Sequence, residues 1–447
     1  MSRNLILNAF LMTTGHHEAS WRLPESTVNT GTDIAHYQRL AQLAESAKFD
    51  AVFFADSPVL QAPPAQRPAG ALDPILLLTA LATVTENIGL IATASTSYND
   101  PYNLAREFAT LDTISNGRAG WNVVTTAGDA AAKNFSQHNQ LDSSQRYARA
   151  DEFLNAAVKL WDSWEDDAAI GDKQRGIWAD PQKIHRINHQ GKYFQIDGPL
   201  NLPRSPQGRP VIIQAGASPA GKNFAAQWAE AIFAVQQSLG QAQGFYADVK
   251  NRVAAAGRNP EAVKVLPGVV PIIGSTVQEA AALADELDEL ILPEHALTNL
   301  AAQLHIDPTE LKLDAKLPVG LEHVVEAEKS TSRRDVILKL GYGRDLTVRQ
   351  ILRELGPGRG HQTVVGTPEQ IADHIEESFT QRAADGFNIM APVLPSGLEV
   401  FIEQVVPILQ QRGLFRTEYS SSTLRGHYGL DRPASIFAEG ENLKLSA

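Results

Sequence analysis

Between Gly216 and Lys222 the sequence reads GASPAGK, a glycine-x4-glycine-lysine spacing that opens a helical stretch directly after the apolar run PVIIQ. Such a segment presents backbone N–H groups and the positive end of a helix dipole, so its chemistry is the binding of an anion, a phosphate above all. Ser218 suits the N-cap and Pro219 the first helical position. The same spacing begins a nucleotide-binding P-loop, but Asn223 stands where magnesium needs serine or threonine, and Pro219 removes an amide from the cradle. A nucleotide triphosphatase is therefore disfavoured. The tripeptide His16-His17-Glu18 offers metal-ligand chemistry, yet no H-E-x-x-H occurs, and the eighth apolar run ends in Ala391, Pro392 and Val393 without a carboxylate. His185 and His189 are four apart but lie in a proline-rich stretch, where surface histidines are expected, so no metal site is expected. Finally, RAGWNVVTT (118–126) begins like a buried strand and ends in Asn122, Thr125 and Thr126, while Asp56 and Ser57 follow AVFF. These polar ends point to a small polar ligand.

The elements that position these residues are eight apolar runs of strand length alternating with longer helix-period segments, the pattern of parallel βα units. The runs start at Leu5, Asp50, Ile88, Ala119, Pro210, Ala231, Val263 and Asp385. Eight units predict a (β/α)8 TIM barrel, whose strands are packed inside and whose C-terminal strand ends build the site. A barrel needs about 250 residues, so this chain of 447 carries additions. They are expected at about 165–209 between strands four and five, at about 292–362 between strands seven and eight, and in the tail from about 413 to 447. None reads as an independent domain, so 1–447 is expected to be one barrel domain. The second addition lies on the rim and reads as a lid, with Gly341, Gly343, Gly356, Gly358 and Gly360 as flexible points.

Composition excludes several classes. Hydrophobic residues at 43% and charged residues at 20% fit a folded globular chain. Absence of cysteine removes disulfides and thiolate metal sites and fits a reducing, cytoplasmic setting. A net charge of −12 with scattered lysines and arginines disfavours nucleic acid, and no run of about 18 apolar residues predicts a membrane span. No strand is followed by G-x-G-x-x-G, so reducing equivalents are expected from another protein.

Taken together and in order, FDAVFFADS, TASTSYNDPYNLAREFATLDTISNGRAGWNVVTT, RYARADEFL, LWDSWEDDA, HQGKYFQIDGPLN, PQGRPVIIQAGAS and GTPEQIADHI resemble the bacterial luciferase-like superfamily. More narrowly they resemble the branch of nitrilotriacetate, dibenzothiophene-sulfone, long-chain alkane and S-substituted cysteine monooxygenases. The resemblance runs from about Asn4 to Tyr419. It implies a barrel flavoprotein that uses reduced FMN from a separate NAD(P)H:flavin reductase, together with O2, as a homodimer or homotetramer. By position, flavin-ring and ribityl contacts fall on Asp56, Thr93 and Asn122, and the phosphate region on Ser143, Tyr147, Gly216, Ala217 and Ser218. Relatives often carry histidine where Ser143 stands, and many have serine where Ala217 stands, so the phosphate leans on Tyr147, Ser218 and backbone amides. His16 matches a histidine proposed as catalytic in relatives, and Trp121 reads as core rather than flavin stacker.

The implied reaction inserts one atom of O2 into a substrate inside a dry pocket, with His16 as acid or base. The stretch GKYFQIDGPLNLPRSPQG resembles the aminopolycarboxylate and S-substituted cysteine oxidisers more than the alkane enzyme, which implies a small organic substrate with C–N or C–S bonds and a carboxylate, for which Arg22, Arg359 and His361 are possible partners. Two alternatives stand beside this: a deazaflavin-dependent barrel oxidoreductase, and a flavin-binding homologue without turnover.

Overall fold

Each of the eight apolar runs forms a strand in the computed structural model, which describes residues 3–60, 68, 70–216, 218–321, 331–355 and 360–438. They are β1 (Ile6–Phe10), β2 (Ala51–Phe54), β3 (Gly89–Ser95), β4 (Ala119–Val124), β5 (Val211–Gln214), β6 (Ala231–Ala234), β7 (Lys264–Ile273) and β8 (Gly386–Ile389). All pair in parallel in sequence order, and β8 returns to β1 with Ile6 opposite Gly386, so the sheet closes into a (β/α)8 barrel. Closure leaves no free edge among the eight strands.

The helices between strands begin on sequence-encoded stops. They are α1 (Ile34–Ser46), α2 (Pro74–Ala82), α3 (Pro101–Ile114), α4 (Ser143–Trp161), α5 (Pro219–Trp228), α6 (Leu239–Ala255), α7 (Val277–Glu289) and α8 (Pro368–Thr380). Asp33, Asp73, Asp100, Asp142, Ser218, Ser238, Thr276 and Thr367 each cap one of them by accepting a backbone N–H. In α2, α3, α5 and α8 the next residue is proline, which loses nothing at a position whose N–H has no helical partner. Because each helix follows a strand, these N-termini gather around the C-terminal ends of the strands.

Side chains alternate along the strands. Leu90, Ala92, Ala94, Trp121 and Val123 face outward and pack with Phe108, Phe153 and Trp161 of the surrounding helices. Trp121 is fully buried there, its indole N–H donating to the Ala94 carbonyl at 3.0 Å, which is the core role expected of it. Ile6, Phe10, Phe53, Ile91, Ile213, Val270 and Met390 fill the barrel interior. The tail closes its lower end. Leu424 stands where side chains on Gly89 and Gly120 would project, 2.5 and 2.9 Å from the Cβ positions those glycines lack. Nearby, the Tyr428 hydroxyl donates to Asn8 Oδ1 at 3.0 Å inside the barrel, and Arg416 pairs with the fully buried Asp50.

The additions have structure of their own. The first carries two short hairpins, Ala169–Asp172 with Ile177–Ala179 and His189–Gln190 with Gln195–Ile196. Glu152 on α4 holds the second by accepting the N–H groups of Tyr193 and Phe194. Contrary to the expectation of a surface position, His189 is buried against Glu152 at 3.3 Å, and His185 is half-buried against Glu165 at 2.8 Å with its ring stacked on Phe437. The second addition gathers Leu300, Leu304, Ile337, Val348 and Ile351 into a separate apolar cluster. Gly341 is no flexible point, since it is buried and a Cβ on it would meet Leu317 at 2.4 Å; Gly356 and Gly358 lie outside the described residues. The addition ends in a ninth strand, Gln362–Gly366, paired with the upper half of β7. Among the described residues, no helix is long and apolar enough to cross a membrane.

Candidate functional site

Thr93 and Asn122 are neighbours in register on β3 and β4, both pointing into the barrel near its upper end. Asn122 Nδ2 donates to Thr93 Oγ1 at 2.9 Å, while Asn122 Oδ1 is buried without a partner. A carbonyl oxygen left so carries its full desolvation cost unless a ligand supplies a donor. Thr93 also lines a small, partly open cavity shared with Asp56, Asp73, Tyr98 and Glu107. Solvent reaches Asp56, yet the crowding cavity walls raise its pKa above the ordinary carboxylate value, chiefly by desolvation, with the nearby Asp73 charge adding to the effect and the Ser57 N–H opposing it. Desolvation raises Glu107 likewise. Three of the expected residues, Asp56, Thr93 and Asn122, are thus contiguous.

A second group forms where β5 ends. Ser218 caps α5, its hydroxyl accepting the Gly221 N–H at 3.1 Å. The Tyr147 hydroxyl lies 3.0 and 2.9 Å from the Cβ positions that Gly216 and Gly221 lack, so any side chain at either glycine would crowd it. Its ring packs on Phe224 of α5 with centroids 5.7 Å apart. Ser143 is the first residue of α4, capped by Asp142, and stands one turn before Tyr147 on the same helix face. Ala217 lies outside the described residues. Lys222 points away from this turn, paired with Asp248 at 2.7 Å, and Asn223 accepts from Arg252 at 2.6 Å, so the P-loop spacing does not make a P-loop.

The third group was only partly legible in the sequence. His16 is buried at 4% exposure, its backbone N–H donating to the Ala391 carbonyl at 2.8 Å, which stitches the loop after β1 to the loop after β8. His361, read from sequence as a possible carboxylate partner, is buried at 6%. It stacks on Phe233 with centroids 5.1 Å apart and ring planes 4° from parallel. The two imidazoles are 5.9 Å apart, edge to face. Gly268 makes room for this, since a Cβ there would lie 2.5 Å from His361 Nδ1 and 2.6 Å from Met390 Sδ. Below them Phe10, Phe53 and Phe233 contact one another at 5.1 to 5.5 Å, an aromatic floor. The signal that could have found His361 is its place directly before the strand Gln362–Gly366, where the expected addition ends. His17 and Glu18 turn elsewhere. His17 Nδ1 accepts the Ala19 N–H, leaving Nε2 to donate to Asp288 at 3.5 Å, and Glu18 accepts from Asn299. Among the described residues, no group of three His, Cys, Asp or Glu is placed to hold a metal ion. Arg22 is exposed and donates to the Leu290 carbonyl, and Arg359 lies outside the described residues.

The flavin mononucleotide implied by the resemblance fits this arrangement on two counts. The unpartnered Asn122 oxygen needs a donor of the kind a polyol or flavin ring carries, and the Gly216, Gly221 and Tyr147 cradle at a helix N-terminus suits a phosphate. Chemically, the site joins an apolar aromatic floor to two imidazoles, side chains whose ring nitrogens can donate or accept a proton.

Residues 10–386 match the family described as luciferase-like monooxygenase. The chain is 45% identical over 441 residues to N-acetyl-S-(2-succino)cysteine monooxygenase of Bacillus subtilis (strain 168), covering 98% of this chain and 99% of that protein. It is also 45% identical over 451 residues to nitrilotriacetate monooxygenase component A of Aminobacter aminovorans, with 98% and 99% covered. Among solved structures, a riboflavin lyase with modified FMN and substrate riboflavin superposes with a TM-score of 0.85 at 31% identity, covering 96% of this chain and 97% of that one.

Proposed function

The chain belongs to the luciferase-like monooxygenase family, and from that premise we propose that it is the oxygenating component of a two-component system. It takes reduced FMN from a separate NAD(P)H:flavin reductase, uses O2, and adds one oxygen atom to a small organic acid with C–N or C–S bonds. Bound in the barrel mouth, reduced FMN supplies the two electrons with which O2 is divided between product and water. Asp56, Thr93 and Asn122 hold the ring and ribityl chain, and Ser143, Tyr147, Gly216, Ala217 and Ser218 hold the phosphate. His16 holds or delivers a proton at its imidazole, and Phe10, Phe53 and Phe233 keep water from the reacting centre. The substrate class rests on the nitrilotriacetate and N-acetyl-S-(2-succino)cysteine relatives, which act on acids bearing C–N and C–S bonds. A homodimer or homotetramer in the cytoplasm is the assembly and setting that go with this reading.

The observation that carries the proposal is the cradle of Tyr147 against Gly216 and Gly221 at the start of α5, built at the end of a barrel strand where the glycines leave room beside a helix N-terminus. The test supplies the protein with FMN, an independent flavin reductase, NADH and 18O2, and screens nitrogen- and sulfur-bearing carboxylic acids by mass spectrometry. One labelled oxygen in a product is expected. Oxidation without label would replace the proposal with a hydride-transfer reading, and FMN binding with no product from any acid would replace it with a binding role.

A further inference from the structure

Gln214, the last residue of β5, is 5% exposed, and its side-chain Oε1 is wholly buried and unpartnered. Its Nε2 lies 2.3 Å from the Cβ position that Gly216 lacks, on the same side of the turn as the Tyr147 hydroxyl at 3.0 Å. In register it neighbours Val123 and so lies on the helix-facing side of the sheet, towards Tyr147, whereas Asn122, whose Oδ1 is also unpartnered, faces the barrel interior. A buried carbonyl oxygen without a donor is a standing cost to the fold, and it persists where a ligand repays it.

We infer that Gln214 is a further ligand-binding residue of the site, recognising a hydroxyl of the polyol that joins ring to phosphate. The chemistry selects that group. A phosphate dianion is an acceptor only, so it cannot satisfy Gln214 Oε1, and on the FMN reading the ring, which carries its own N–H, belongs with the barrel-facing Thr93–Asn122 pair. A hydroxyl donates to the oxygen and accepts from the nitrogen, and the segment between the Thr93–Asn122 pair and the Gly216 turn is where a polyol phosphate carries its hydroxyls. The inference rests on the FMN reading above.

The experiment compares FMN and riboflavin binding, by flavin fluorescence, in the unsubstituted protein and in Gln214→Met and Tyr147→Phe. Methionine keeps the volume and removes donor and acceptor together. Gln214→Met is expected to weaken FMN and riboflavin by the same factor, on the order of tenfold, because both ligands carry the polyol. Tyr147→Phe is expected to weaken FMN alone. Thermal unfolding without flavin supplies the second readout: since Gln214 Oε1 has no partner to lose, Gln214→Met leaves the melting temperature unchanged or raises it. Equal affinities for both flavins before and after the substitution would overturn the inference while leaving the FMN reading intact. So would a loss confined to FMN, or a fall in the melting temperature of the flavin-free protein. Failure of the unsubstituted protein to bind FMN would instead overturn the parent reading.

Discussion

Replacing Gly268 by alanine tests whether the two histidines at the barrel mouth depend on one missing carbon. The new Cβ would stand 2.5 Å from His361 Nδ1 and 2.6 Å from Met390 Sδ, where ordinary contacts are about an ångström longer. Methionine is flexible and gives way at small cost. His361 cannot, because its ring lies 4° from parallel against Phe233 and retreat breaks that stack. Overpacking of this kind costs about 1–3 kcal/mol, and the displaced imidazole leaves the 5.9 Å edge-to-face contact with His16. Differential scanning fluorimetry should show a fall in melting temperature of about a few degrees. Coupled turnover, measured as product formed per NADH consumed, should fall at least about tenfold, which is some 1.4 kcal/mol of lost transition-state stabilisation, with FMN affinity retained. Unchanged coupling alongside the expected loss of stability would refute the idea that the position of His361 matters to the reaction. No change in either would refute the packing argument itself.

Leu424→Ala empties the plug between Gly89 and Gly120 and should cost about 2–5 kcal/mol in urea titration, while turnover per folded molecule, governed at the opposite end, is unchanged. Lys222→Met should leave FMN affinity within about twofold in the same fluorescence titration, because Lys222 serves Asp248 rather than the turn; a larger loss would revive a phosphate role for this lysine. The imidazole of His427 is held down to about 4 by burial, so the folded state keeps it neutral where the unfolded chain protonates it near 6.5. Its contribution is therefore complete above about pH 6.5 and drains away as pH falls toward 4, by at most about 3 kcal/mol. His427→Gln should flatten the acid side of the stability profile measured by urea midpoints from pH 4 to 7.5, and a profile that keeps its slope would count against this assignment.

The barrel was legible because each strand is an apolar run that needs no distant information to be recognised, and each helix start is marked by Asp, Ser or Thr, four of them followed by proline. Asp56, Thr93 and Asn122 were legible as polar ends on those runs, and the structure brings them together around one cavity and one hydrogen bond. What escaped depends on partners far away in the chain. The strand Gln362–Gly366 is short and exists because the upper half of β7 offers it an edge. His361 reads as a loop histidine until Phe233 and Gly268 surround it. His189 looks like surface until Glu152 covers it. Gln214 gives no sign in the sequence, since being unpartnered is a property of its surroundings rather than of its type.

The closing of the lower barrel end by Leu424, Tyr428 and the Arg416–Asp50 pair bears on how the protein is made. These residues leave the ribosome after all eight strands, so the Leu424 plug and the arginine partner of Asp50 are missing until the strands have been made. Closure of the lower barrel end therefore waits on residues 416–428. Until that moment the growing chain exposes apolar surface on the side away from the active site, and that side is where a chaperone would have to work.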